Sequence, residues 1–336
     1  MTEVAYGGRA YECRESETVL EALLRHRLDV PYSCKKGVCL SCMLRVIEGP
    51  IPEGSQAGIR DTLRAQGYFL PCLCPCDNDL TVAPADQAAL FSRAVVSDVF
   101  PLAPDIKGVR LTPATELYYH AGQFINLRRA DGLTRSYSLA SVPGIDRQLE
   151  LHVKRLAGGD MSNWIFDELQ AGEVVEFQGP NGSCFYLPGR ADQNLLLIGT
   201  GTGLAPLIGI ARDALHDGHR GDIRLYHGSR HAKGLYLGQR LRDLAARHAN
   251  FRYFPCLSGA DVPTDVRAGR VAGAAFFDLG GLADWRVFIC GAPPMVEEAK
   301  KTAYLAGAAI ADIHADPFEL RDLRRKPRPA TSSQVI

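Results

Sequence analysis

Four cysteines constrain this chain more than any other feature. Cys34, Cys39 and Cys42 stand in Cys34-Lys35-Lys36-Gly37-Val38-Cys39-Leu40-Ser41-Cys42, and Cys72 follows far downstream. A C-x4-C-x2-C run with a distant fourth cysteine is the plant-type spacing for a 2Fe-2S cluster. Thiolates are soft ligands that suit iron–sulfur chemistry. A short loop wrapped around a cluster can also aim its backbone N–H groups at the sulfurs, and Gly37 can take the positive φ that such a wrap often needs. Zinc is the rival reading. Structural zinc usually takes two close cysteine pairs, whereas here a triplet is followed by the group Cys72, Cys74 and Cys76. The spacing predicts a one-electron carrier at the start of the chain and makes the remainder what feeds it.

Composition narrows the rest. A length of 336 residues predicts two or three domains. With 46% hydrophobic and 23% charged residues, the chain has the make-up of a soluble globular protein. Net charge is zero, which argues against a nucleic-acid footprint. No long apolar span or signal pattern is present, so the expectation is a cytoplasmic protein without a membrane span. Ten cysteines in a reducing compartment are then free thiols and ligands, not disulfides.

The texture changes along the chain. In residues 1–90, Val4 to Tyr6 and Arg9 to Cys13 flank Gly7-Gly8, a hairpin signal. Thr18-Val19-Leu20-Glu21 is a capping box, after which Val19, Leu20, Leu23 and Leu24 line one helix face, with Pro31 as the stop. Leu80 to Val82 reads as a closing strand. This segment holds 9 Lys/Arg and 12 Asp/Glu, a net of −3, so the remainder is +3. Residues 91–190 show short strand-like runs: Ala94 to Val99, Gly122 to Leu127, Arg135 to Leu139, Leu149 to Lys154 and Val174 to Phe177. That spacing predicts a barrel or sandwich, with one helix at Met161 to Leu169. Residues 191–318 turn to a βαβ pattern, with Leu195 to Ile198, Ile223 to His227, Phe251 to Leu257 and Val287 to Cys290 as strands and a helix through Leu215. Residues 319–336 form a polar, basic tail, expected to be mobile.

Three groups of residues carry further chemistry. Arg135-Ser136-Tyr137-Ser138 is weak alone, since alternation of this kind also marks a surface strand. Gly158-Gly159-Asp160-Met161-Ser162 opens a helix whose free N–H groups can hold a phosphate. Gly199-Thr200-Gly201-Thr202-Gly203-Leu204-Ala205-Pro206 joins a strand to a helix and lets a pyrophosphate approach the backbone. Pro206 falls where a strict G-x-G-x-x-G would place its third glycine.

With these motifs in order, the chain resembles the electron-transfer reductases of bacterial multicomponent oxygenases, such as benzoate dioxygenase reductase and soluble methane monooxygenase reductase. The resemblance runs to about Phe318. It implies a β-grasp plant-type ferredoxin domain, an FAD-binding β-barrel and an α/β nicotinamide-binding domain of the ferredoxin–NADP reductase type. It implies Cys34, Cys39, Cys42 and Cys72 as ligands. Alignment on Asp79-Leu80 selects Cys72, leaving Cys74 and Cys76 as spectators. Arg135 would pair with the FAD pyrophosphate, Tyr137 would pack on the isoalloxazine and Ser138 would bond near N5. The backbone of His152, Val153 and Lys154 would line the adenine side, and Gly159, Met161 and Ser162 the pyrophosphate. Gly199, Thr200, Gly201, Thr202 and Gly203 would cradle the nicotinamide dinucleotide. Cys290, Gly291 and Met295 would place its ring, with Phe318 covering the flavin; simple core packing is the alternative for Cys290 and Phe318. Leu40 departs from the glycine common in relatives. Cys13, Cys184 and Cys256 have no ligand spacing.

The implied activity is electron transfer from NADH through FAD and the cluster to an oxygenase component or intermediate carrier, by a monomer. The alternatives are a stand-alone diaphorase or flavin reductase, or a non-enzymatic redox-sensing or zinc-binding protein. NADPH is possible as donor. Ser229 and Arg230 stand where a 2′-phosphate could bind, no Asp or Glu is near, and Arg230 could equally stack on adenine or sit in solvent. The −3 balance of the first segment hints at a basic docking face on the partner.

Overall fold

Gly7 and Gly8 both take positive φ, +59° and +79°. This is the backbone a two-residue hairpin turn requires, and it joins β1 (Glu3–Tyr6) to β2 (Arg9–Glu12). The computed structural model describes residues 2–32, 34–86, 90–260 and 262–318, so the expected tail over 319–336 lies outside the described residues. The chain divides into two units, Met1–Ala85 and Asp86–Glu319.

In the first unit, Thr18 and Glu21 form the reciprocal capping box of α1 (Val19–Arg25). Its buried face is Val19, Leu20, Ala22 and Leu23, so Ala22 takes the place expected for Leu24, which is half-buried. The helix stops well before Pro31, because Arg27 turns to φ +63°. The Cys34–Cys42 loop leads to β3 (Leu44–Glu48), then a 3-10 turn at Glu53–Gln56, α2 (Asp61–Arg64), β4 (Tyr68–Phe69) and β5 (Leu80–Pro84). The sheet order is β2-β1-β5-β3-β4, with β1 and β5 parallel, a β-grasp arrangement under α1.

The second unit opens with β6 (Ser92–Ala103), β7 (Ile106–Pro113), β8 (Phe124–Arg128), β9 (Thr134–Ser138) and β10 (Leu149–Lys154). Then come α3 (Asp160–Asp167) and β11 (Val174–Asn181). The order is β10-β7-β6-β11-β8-β9. A bridge between Leu139 and Leu151, with Ala140 N–H donating to the Glu150 carbonyl at 2.8 Å, closes this sheet into a barrel. Closure removes the open edges and buries Val96, Val109, Leu111, Ile125, Leu127 and Leu151 inside.

A parallel layer follows: β12 (Asn194–Thr200), α4 (Leu204–His216), β13 (Ile223–Ser229), α5 (Gly238–Arg247) and β14 (Phe251–Leu257). It continues with β15 (Arg267–Ala268), α6 (Val271–Leu279), β16 (Trp285–Gly291), α7 (Pro293–Leu305) and β17 (Ile313–Pro317). The order β15-β14-β13-β12-β16-β17 reverses direction between β12 and β16. Ligands of open α/β sheets bind at the strand C-termini beside such a reversal. Barrel and layer share one apolar cluster that joins Ile106, Ala140 and Cys184 to Leu197, Ile210 and Cys290. The Arg212 guanidinium donates twice to the Asp146 carboxylate, at 2.8 and 2.9 Å, across the same junction.

Candidate functional site

The cysteine loop is built from its backbone outward. Lys36 and Cys39 N–H groups point at the Cys34 sulfur, both at 3.3 Å, and Cys34 N–H points at the Cys39 sulfur at 3.4 Å. The Cys39 thiol, followed by N–H donors of Cys39, Lys36 and Val38, draws the Cys34 thiol down to about 5 against the opposing effect of burial. The Cys42 thiol likewise lowers Cys72, helped by the Gly37 N–H. Among the described residues no three ligating side chains are gathered around one metal position. The four thiols instead stand as two hydrogen-bonded pairs, Cys34 with Cys39 and Cys42 with Cys72. Two pairs suit a dinuclear cluster with two thiolates on each iron. Cys76 faces Cys13, and Cys74 faces Ser55. Leu40 adopts φ +55°, so it keeps the turn that glycine would make freely.

At the barrel, Arg135, Tyr137 and Ser138 follow one another on β9. Tyr137 packs on the barrel core while remaining partly exposed. Gly159 is the N-cap of α3, and an added Cβ there would stand 2.7 Å from Ser162 Oγ. That hydroxyl accepts from Leu156 N–H and donates to the Gly159 carbonyl, each at 3.1 Å. Ser162 therefore shapes the loop, and Met161 is core, so helix N–H groups are what this segment offers a phosphate. The side chains of His152 and Val153 are buried and their backbone pairs with Gly108 and Lys107 of β7, while Lys154 pairs with Asp105 at 3.6 Å. His152 is kept neutral by burial. Its Nε2–H donates to Glu150 at 3.1 Å, and its Nδ1 accepts from the Tyr236 hydroxyl at 3.0 Å.

At the sheet reversal, Gly201 has φ +55° and nothing within 4 Å of a would-be Cβ, an open cradle beside the start of α4. Its neighbours are the opposite. A Cβ on Gly203 would stand 2.2 Å from the Cys290 carbonyl, and one on Gly291 2.4 Å from Thr200 Oγ1. That hydroxyl accepts Ala292 N–H at 3.2 Å. The glycines thus press the turn of Gly199 to Gly203, including Thr202, against Cys290 and Gly291. Met295 is half-buried against the core at the start of α7. Ser229 Oγ donates to the His231 carbonyl at 2.9 Å and is engaged in its own turn. Arg230 is exposed, without an ion-pair partner among the described residues.

Three residues missed in the sequence complete the junction. Ser138 Oγ donates to Asp316 Oδ2 at 3.1 Å, and Asp316 is the register partner of Cys290. Burial pushes the Asp316 carboxyl up to about 6. His227, buried and lowered to about 4, donates from Nε2 to the Gly201 carbonyl at 3.3 Å and so braces the cradle. Tyr236 lies edge-on to both His152 and His227. Phe318 N–H donates to the Gly291 carbonyl at 2.7 Å, which puts Phe318 beside Gly291. Cys184 Sγ lies 3.7 Å from Cys290 Sγ. Only proximity in the fold signals these roles.

A thiol loop, a closed barrel and a parallel layer with a glycine cradle define a flavin- and iron–sulfur-dependent oxidoreductase. Family descriptions match in that order: 2Fe-2S iron-sulfur cluster binding domain over 4–77, oxidoreductase FAD-binding domain over 95–186 and oxidoreductase NAD-binding domain over 197–301. The chain is 37% identical over 330 residues to the reductase subunit of an aromatic O-demethylase from Amycolatopsis sp., covering 94% of this chain and 98% of that one. It is 32% identical to the ferredoxin–NAD(P)+ reductase component of the naphthalene 1,2-dioxygenase/salicylate 5-hydroxylase systems of Ralstonia sp., covering 90% and 93%. A crystal structure of an Amycolatopsis cytochrome P450 reductase superposes with a TM-score of 0.68 at 34% identity, over 95% of this chain and 99% of that one. The chain belongs to the family of reductase components of oxygenase systems, with a 2Fe-2S cluster, FAD and NAD(P)H as cofactors. No helix among the described residues is long and apolar enough to cross a membrane.

Proposed function

We propose that this chain takes electrons from NADH, passes them through FAD to its 2Fe-2S cluster, and delivers them singly to an oxygenase partner in the cytoplasm. The observation that carries this reading is the meeting of Ser138, Cys290 and Asp316 where the barrel joins the sheet reversal. Hydride transfer needs donor and acceptor held in near contact, and this junction is where a flavin on β9 and a nicotinamide over Gly201 would meet. Bound flavin supplies the conversion between two-electron acceptance and one-electron release.

The protein's own residues position and exclude. Arg135 offers a guanidinium for the FAD phosphates. Tyr137 offers a ring face, Ser138 a hydroxyl already oriented by Asp316, and Cys290 a neutral thiol in a water-excluded corner. Cys34, Cys39, Cys42 and Cys72 hold the cluster as two thiolate pairs. NADH is favoured by the family resemblance, and Arg230 is the feature that would favour NADPH. Resemblance to the reductases of benzoate dioxygenase and soluble methane monooxygenase makes a ring dioxygenase or a diiron monooxygenase the partner. Similarity to the Amycolatopsis cytochrome P450 reductase adds a cytochrome P450 as a third partner class.

Cys39→Ala tests the order of flow. It should lose the cluster absorption and lower cytochrome c reduction at least about tenfold while keeping FAD and NADH–ferricyanide turnover. Cys76→Ala should keep the cluster. Undiminished cytochrome c reduction in Cys39→Ala would reject the proposal.

A further inference from the structure

We propose that Cys184 and Cys290 form an oxidative modification site, a dithiol that hydrogen peroxide closes to a disulfide and that a small dithiol reopens. This rests on the reading that a nicotinamide seats beside Cys290, and it makes the bond a switch on hydride transfer. The two Sγ atoms already lie 3.7 Å apart, although the residues are 106 positions apart in the chain. A disulfide bond is about 2.0 Å long, so each sulfur has less than about 1 Å to travel. Both residues are free thiols and both are buried. Their backbones are held from several sides. Phe185 stacks on His120 with ring centroids 4.7 Å apart, and the Tyr186 hydroxyl donates to Asp217 at 3.2 Å, which anchors the chain just after Cys184. A Cβ on Gly122 would stand 2.5 Å from the Cys184 carbonyl, so the turn into β8 presses on it. Cys290 lies in β16, with Gly199 as register partner on one side and Asp316 on the other. Rotation about χ1 of the two side chains is therefore what closes the gap.

The pair spans the seam between barrel and parallel layer. Cys184 belongs to the irregular stretch between β11 and β12, and both residues sit in the apolar cluster that the two parts share. Gly203 leaves no room beside the Cys290 carbonyl, so a shift of Cys290 is felt by the cradle. Closure takes the Cys290 thiol out of the hydride junction and ties β16 to the barrel. In the oxidation, one thiol sulfur takes an oxygen from peroxide as the O–O bond breaks and water leaves. The second sulfur then displaces that hydroxyl as a second water, and the S–S bond forms. The two S–H hydrogens and two electrons thus end in two waters. A dithiol reverses the change by exchange and is itself oxidised to a disulfide. Burial, then the neighbouring Cys184 thiol, push the Cys290 thiol up. A neutral thiol reacts slowly, so closure needs a high local concentration of peroxide. Reduced flavin meeting dioxygen at the same junction supplies it. Cys13 and Cys76 face each other in the first unit and serve as the internal comparison.

Full-length holoprotein is treated with hydrogen peroxide, or cycled with NADH in air without an electron acceptor, and then digested without reduction. A linked peptide pair carrying Cys184 and Cys290 should accumulate, lighter by two hydrogens than its parts. Flavin reduction by NADH in anaerobic stopped flow should fall at least about tenfold, since a misplacement of about 1 Å at a reacting centre can cost more. Dithiothreitol should separate the peptides and restore the rate together. Cys184→Ala should reduce its flavin at the parent's rate before treatment and keep that rate afterwards. Mapping of the parent decides the site even where the variant does not accumulate. No Cys184–Cys290 link after both treatments overturns the proposal. So does an inactivation that Cys184→Ala shares, or one that tracks a Cys13–Cys76 link alone. Linked protein that NADH still reduces at the untreated rate overturns the switch. If NADH fails to reduce the flavin of untreated protein, the proposed function fails instead, and the two failures are told apart.

Discussion

Asp316 shows how much one side chain can alter the chemistry of a junction. Its carboxyl sits within the protein although the residue keeps some exposed surface, and burial raises it from 3.8 to about 6. Below pH 4 it is protonated whether the chain is folded or unfolded. Between about pH 4 and 6 the unfolded chain ionises first, so this group's stabilising contribution is lost as pH rises through that window. The shift corresponds to about 2–3 kcal/mol. Asp316→Asn should remove that slope and gain stability relative to the parent above pH 6, read from thermal unfolding of FAD-loaded protein at several pH values. Parallel curves for the two proteins would refute the assignment. The thiols of Cys34, Cys39 and Cys42 were legible as a group because a loop's spacing is local. Asp316, His227 and Tyr236 were not, because Ser138, Gly201 and His152 reach them only through the fold.

At the scale of elements, the turn after β12 divides its glycines by what surrounds them. Gly203 is needed for packing, since a Cβ would strike the Cys290 carbonyl at 2.2 Å. Gly201 is needed for conformation and access, with φ +55° and open space beyond. Gly203→Ala should cost about 1–3 kcal/mol in urea unfolding, as overpacking does. Gly201→Ala should cost only about 1–2 kcal/mol yet raise KM for NADH more than its effect on stability would suggest. Equal losses of stability and of nucleotide affinity in both variants would count against this division. Elements were read with uneven success. Runs such as Leu195 to Ile198 announced β12, but β17, IHADP, is half-buried and polar and carries no period-2 signal. Its place comes from pairing with β16.

For the whole molecule, the division at Ala85 and Asp86 matters for stability. The barrel and parallel layer share an apolar cluster, so they should unfold together, whereas the first unit has its own sheet and core. Calorimetry should show two transitions. Excess FAD should raise only the one accompanied by flavin release, by about 2.7 kcal/mol at a hundredfold excess over Kd. A single transition in which cluster bleaching and flavin release coincide would contradict it.

The cluster loop, the glycine cradle and the order of the parts were readable along the chain, because each depends on residues close together in it. Loop spacing, turn glycines and apolar runs act over a few residues, and that is what makes them readable. The tertiary structure decided the rest. It paired Cys42 with Cys72, brought Ser138 from β9 to Asp316 on β17, and set Cys184 against Cys290.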